Sequence, residues 1–172
     1  MLYPILALSA AMAASPPVTI GGPARAFTLP AINEEVVRKV DGSAKVSLFD
    51  FAGVGAPHPQ KAVVVHFFER GAGDDVLSVL SALDRKHDDI MVIGVTTDPG
   101  GLAAITTSIS QQGLDFPVLF DEYRTVFGRY GIDRAPITLV IDADGDVTAV
   151  GRPGADAFQA DLEQVLAPLL AR

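Results

Sequence analysis

Two apolar runs constrain this chain more than any other feature. Lys61 to Glu69 (KAVVVHFFE) and Ile90 to Thr97 (IMVIGVTT) are nearly unbroken β-branched and aromatic stretches, the pattern of strands buried on both faces. Between them, after a Gly-rich break at Arg70 to Gly73, Val76, Val79, Leu80 and Leu83 recur at the i, i+3, i+4, i+7 spacing of a helix that stops near His87. Two parallel strands joined by a helix require a right-handed crossover, which places them side by side. The expected fold class is therefore α/β, a central mixed β-sheet flanked by helices.

The downstream sequence extends that sheet. Asp98-Pro99 supplies an N-cap and first-turn proline for a helix from about Pro99 to Gln112, closed by Gly113. Phe116 to Phe120 reads as a short extended piece. Asp121 then caps a helix carrying Tyr123, Val126, Phe127 and Tyr130, stopped at Gly131. Pro136 to Asp142 and Val147 to Gly151 form a hairpin across Ala143-Asp144-Gly145-Asp146, which adds antiparallel strands to the edge. A last helix starts near Asp156, where Asp156 and Gln159 resemble a capping box, and buries Phe158, Leu162, Val165, Leu166 and Leu169, with Pro168 bending it or ending it early.

Upstream, Ala26 to Pro30 and Val46 to Phe51 are short strands separated by a polar loop from Asn33 to Lys45. Residues 15–60 form an N-terminal extension to a core over 61–172, together one domain over 21–172. Met1 to Ala14 has 12 apolar residues of 14, no charge, and an Ala-Met-Ala close, which reads as a secretory signal. The expected location is periplasmic or secreted, the alternative being an N-terminal membrane anchor. No stable membrane span is expected after cleavage, because the run is shorter than the ~20 residues a bilayer needs.

Composition narrows the chemistry. With 21 acidic against 13 basic residues and no basic patch, nucleic acid is not an expected partner. The chain has no cysteine, which removes disulfides, thiolate metal sites and thiol nucleophiles. Asp142, Asp144 and Asp146 lack the glycine position and closing glutamate of a calcium loop, and His58 and His87 have no partner at ligand spacing, so both read as solvated surface. Arg70-Gly71-Ala72-Gly73 lacks the Lys-Ser/Thr of a phosphate loop. No metal and no cofactor are expected.

Three segments carry a family resemblance. Gly22 to Pro30 (GPARAFTLP) is similar to the opening "G-x-x-A-P-x-F-x-L-P" of the TlpA-like and AhpC/TSA (peroxiredoxin-like) redoxins, and Val46 to Gly53 (VSLFDFAG) to the following "V-S-L-x-D-F-x-G". Tyr130 to Asp142 resembles "Y-G-V-x-x-x-P-T-T-F-x-I-D", whose proline is cis and flanks the active site. The resemblance implies a thioredoxin-like fold. It also implies a Cys-x-x-Cys after the first core strand, where a helix N-terminus stabilises a thiolate. Laying His66-Phe67-Phe68 on the family's "N-F-W" puts Ala72 and Asp75 at the cysteine positions, with Gly73 and Asp74 between them. A peroxiredoxin's "P-x-x-x-T-x-x-C" is missing as well.

Two functions are open on these residues. The first is a redox-inactive, peptide- or protein-binding module of the cell envelope. It would hold an extended chain at Ala135 and Pro136, faced by Arg70, Ala72 and Asp75. The second is an oxidoreductase or antioxidant-family enzyme working by a non-thiol route, with His66, Asp74 and Asp75 as acid–base groups. Beside these stand plainer roles: an N-terminal cap for Asp74 or Asp75, and a hydrogen-bonded core histidine for His66.

Overall fold

The computed structural model describes residues 18–37, 44–152 and 157–171. Seven strands and five helices follow in order: β1 (Thr28–Pro30), α1 (Glu34–Val37), β2 (Lys45–Ser47), β3 (Ala62–Glu69), α2 (Leu77–Lys86), β4 (Ile90–Thr97), α3 (Gly101–Gln112), β5 (Val118–Phe120), α4 (Thr125–Arg129), β6 (Ile137–Asp142), β7 (Val147–Gly151) and α5 (Phe158–Leu170). The main sheet has the order β5-β4-β3-β6-β7. β3 pairs parallel with β4 from Ala62↔Ile90 to Glu69↔Thr97, and antiparallel with β6 from Ala62↔Asp142 to Phe67↔Ile137. This is the thioredoxin-like arrangement, with both apolar runs at its centre; β4 is buried throughout and β3 up to Phe68.

Each face of the sheet has its own core. Val64, Phe68, Val92, Val118 and Val140 pack with α2, α3 and α5 on one face. Val63, Val65, Phe67, Ile93 and Leu139 on the other meet α4 and the N-terminal extension, through Phe27, Val37, Val46, Leu48 and Phe51. Alternation along the strands dictates this division, since successive side chains leave opposite faces.

The structure corrects several boundaries. The loop expected from Asn33 to Lys45 contains the single helical turn α1. Asn33 itself is buried: its Nδ2 donates to Phe116 O (2.9 Å) and its Oδ1 accepts from Val118 N–H (2.8 Å), so a side chain pairs with β5 as a strand would. The strand expected to reach Phe51 stops at Ser47, where Leu48–Asp50 turn into a 3-10 helix because Asp50 Oδ2 takes the Ser47 N–H. α3 begins at Gly101 rather than Pro99, because the Asp98 carboxylate engages Gly100 N–H and Arg70 instead of capping the helix. Asp121 does cap α4, accepting from Thr125, Val126 and Phe127, but the helix starts after Tyr123, which is 81% exposed and outside the apolar stripe. Pro168 lies on the exposed face of α5, which runs on to Leu170 because Leu162, Leu166 and Leu169 hold its other face in the core. His58 is exposed, whereas His87 is half-buried as the C-cap of α2. Met1 to Ala14 and Asp156 lie outside the described residues.

α2 carries one carboxylate at a cost. Burial pushes Asp84 up to about 6, reinforced by the Asp115 charge and opposed by hydrogen bonding at the Val92 backbone and by Arg85. A folded-state value above the ordinary one favours the protonated form, so this stabilisation is complete at low pH and fades as pH rises through 6. Asp84→Asn is expected to raise stability above pH 7 by about 1 kcal/mol, after discounting solvent screening at a half-buried site, and to change little at pH 4. Urea midpoints at the two pH values measure it.

Candidate functional site

The candidate site lies where β3 ends. Glu69 and Ala72 exchange backbone hydrogen bonds (Glu69 N–H to Ala72 O, 3.0 Å; Ala72 N–H to Glu69 O, 2.8 Å), so Arg70 and Gly71 form a tight two-residue turn. Gly73 follows at φ 94, then a 3-10 turn over Asp74–Val76, and only then α2. The family position Ala72 therefore sits in a hairpin turn upstream of the helix, half-buried, while Asp75 is exposed in the 3-10 turn. Val76 is the N-cap of α2 and makes no side-chain cap; the Asp74 side chain lies outside the described residues, so its expected capping role does too.

Gly73 is the residue that touches the opposite wall. The Ala135–Pro136 bond is cis. A Cβ built on Gly73 would stand 2.5 Å from Pro136 Cβ, 3.1 Å from His66 Nε2 and 3.3 Å from Phe68 Cβ. No side chain other than hydrogen fits there. The β3–β6 ladder ends at Phe67↔Ile137, so the half-buried Ala135 and Pro136 lie just beyond its last pair, beside this turn.

His66 joins the two walls from beneath. Its ring is fully buried, Nε2 is 3.0 Å from Gly73 O and Nδ1 is 2.9 Å from Thr138 Oγ1. A carbonyl can only accept, so Nε2 carries the proton and Nδ1 accepts from the Thr138 hydroxyl. The ring stacks on Phe68 with centroids 5.7 Å apart. Burial lowers His66 to about 4, against small raising effects of the Gly73 hydrogen bond and the Asp75 charge, so the ring is neutral at pH 7. The core-histidine role describes this geometry. An acid–base role would need an exposed ring edge, and both nitrogens are engaged inside the protein.

Charged groups line the rim. Arg70, about half exposed, places Nε 3.0 Å from the buried Asp98 Oδ2 as an ion pair without an aligned hydrogen bond, and its Nη2 donates to Oδ1. Arg124 pairs with Glu69 and lies over the Phe127 ring, 4.7 Å from its centroid. Among the described residues no group of three or more His, Cys, Asp or Glu is placed to hold a metal. The sequence reading missed the central place of Gly73 and the Thr138 partner of His66. The only local signal for the first was a glycine between two predicted elements.

Comparison with known proteins places this geometry among relatives. Residues 20–150 match the model of the AhpC/TSA family. Over 62 residues the chain is 32% identical to the thiol-disulfide oxidoreductase ResA of Bacillus thuringiensis, a match covering 36% of this chain and 35% of that protein; the chain thus spans about a third of the curated relative it matches. A putative thiol:disulfide interchange protein DsbE from Chlorobium tepidum superposes with TM-score 0.69 at 21% identity, covering 89% of this chain and 99% of that one. A secreted Mycobacterium tuberculosis disulfide oxidoreductase superposes with TM-score 0.59 at 18% identity, over 83% and 95% of the two chains.

Proposed function

The chain belongs to the AhpC/TSA family and contains no cysteine, and from these two facts we propose that it is a redox-inactive redoxin of the cell envelope that binds extended polypeptide. The observation that carries this reading is the contact of Gly73 with Pro136 at the open end of the β3–β6 ladder. It keeps the groove wall of the fold while the reactive position holds no nucleophile. Backbone at Ala135, past the last ladder pair, offers strand-like pairing that needs no sulfur. Gly73 approaches Pro136 from the turn, while Arg70 is paired with Asp98 and Asp75 lies beyond it in the 3-10 turn. Names of relatives in thiol-disulfide exchange, one of them secreted, support the envelope setting.

The test has two halves. The purified protein should neither reduce insulin with dithiothreitol nor consume hydrogen peroxide, and turnover in either assay would sink the reading. Reduced, carboxymethylated lactalbumin, a permanently unfolded probe, should bind measurably by fluorescence anisotropy. Ala135→Arg, which puts a long charged side chain where the peptide would pair, should weaken that binding at least about tenfold, the loss of roughly one well-made backbone contact. Unchanged affinity would move the site elsewhere.

A further inference from the structure

A pocket of about 210 Å³ lies between β7 and α5, walled by the apolar side chains of Val140, Ala149, Phe158, Leu162 and Val165. Thr138 forms its inner end, but the hydroxyl proton is already donated to His66 Nδ1 (2.9 Å), so the floor offers no side-chain donor. The rim carries one charge of each sign, Arg152 and Asp161, both exposed. Such a lining accepts an apolar body and does not select for charge. An apolar cavity of roughly 150 Å³ is enough for a benzene ring. This one therefore holds a single aromatic or branched aliphatic side chain.

The pocket is open because β7 leaves it open. Gly151 stands opposite Thr138 in the β6–β7 ladder, so a side chain there would leave the sheet on the same face, toward α5. Nothing in the backbone calls for glycine at this position. Its φ is outside the left-handed region, and a Cβ built on it would meet nothing within 4 Å. Glycine in a strand ordinarily marks a bulge or a close approach, yet the register shift of this ladder falls earlier, between Val147 and Ala149. What Gly151 provides is empty space in the pocket wall.

The pocket mouth adjoins the candidate site. Arg152 donates from Nη1 to Arg134 O (3.2 Å), the carbonyl just before Ala135. Thr138 follows Ala135 by three residues, at most about 10 Å along the chain. We propose that the pocket takes one large apolar side chain, aromatic or branched aliphatic, of the extended polypeptide whose backbone pairs at Ala135. This rests on the peptide-binding reading and adds a sequence requirement to it. A bound segment needs such a residue within about three positions of the paired one, the reach of an extended chain over that distance, and tolerates either charge beside it.

Fluorescein-labelled Gly/Ser peptides of equal length, each with a single central Phe, Leu, Ala or Asp, read the requirement by anisotropy against the full chain. The Phe and Leu peptides should bind at least about tenfold tighter than the Ala and Asp peptides. Gly151→Phe supplies the occupant from within: its melting temperature should rise by a few degrees as the new ring is buried, and it should bind the Phe and Ala peptides alike. Val165→Glu, which charges the half-buried lip of the pocket, should lose the preference as well. Equal binding of the Phe and Ala peptides by the native chain, a preference that survives in either variant, or a lower melting temperature for Gly151→Phe would each overturn the proposal. A dimer in sedimentation velocity that Gly151→Phe dissociates would assign the pocket to a second copy and overturn it too. Lactalbumin binding without any peptide preference would remove this inference and leave the peptide-binding reading standing; if neither lactalbumin nor any peptide binds, both fall.

Discussion

Gly73→Ala is expected to destabilise the protein by about 3 kcal/mol or more, lowering the melting temperature by roughly 10 °C. Two costs combine. Alanine at φ 94 occupies a backbone region that L-residues avoid, worth about 1–2 kcal/mol. The added methyl also falls 2.5 Å from Pro136 Cβ, on a ring that cannot rotate aside, so the turn and the proline loop must separate. Gly71→Ala is the control. Gly71 has φ 78 but open space within 4 Å of its would-be Cβ, so it should show the backbone cost alone, about 1 kcal/mol. Equal effects at the two positions would mean that the Gly73–Pro136 contact contributes nothing. If the proposed peptide site is right, the same substitution should abolish lactalbumin binding at temperatures where the variant stays folded, because it parts Gly73 from Pro136.

Acidification should expose His66. Its folded-state value of about 4 lies below the ordinary 6.5, so the unfolded chain binds a proton that the native ring refuses. Stability from this group is complete above pH 6.5, declines as pH falls through the window down to 4, and is lost below it; the total is about 3 kcal/mol. Protonation also gives Nδ1 a hydrogen that faces the Thr138 hydroxyl, so that Thr138 can no longer donate to it. His66→Gln cannot titrate. Compared by urea unfolding at pH 7, 5.5 and 4, the native chain should lose about 3 kcal/mol more than the variant over that range. Asp84 titrates with the opposite sign in an overlapping window, so the comparison is cleanest with Asp84→Asn in both chains. If His66→Gln keeps the full acid slope, the buried ring is not its source.

The sheet was legible because burial on both faces writes itself into consecutive residues. Val63 to Phe68 and Ile90 to Thr97 need no distant partner to be read as strands, and Asp144-Gly145 marks its own turn. Site chemistry is written across distance. His66 meets Thr138 72 positions away, and Gly73 meets Pro136 across a similar span, so neither pairing leaves a local pattern. The two-residue turn between Glu69 and Ala72 brings Gly73, which the motif alignment placed between the two family positions, against Pro136. Boundaries failed where a polar side chain took a backbone group: Asp98 on Gly100, Asp50 on Ser47, Asn33 on β5. Propensity cannot foresee such competition between side chain and backbone.

The two-sided core decides where this protein can be cut or fused. Phe27, Val46 and Leu48 roof one sheet face, and Asn33 stitches their segment to β5. A truncation starting at residue 61 would keep every strand of the main sheet yet strip Val63, Val65 and Phe67 of the extension's cover, leaving α4 and the residues just after it as their only roof. The extension is a structural layer, so tags and fusion partners belong before Val18 or after Ala171.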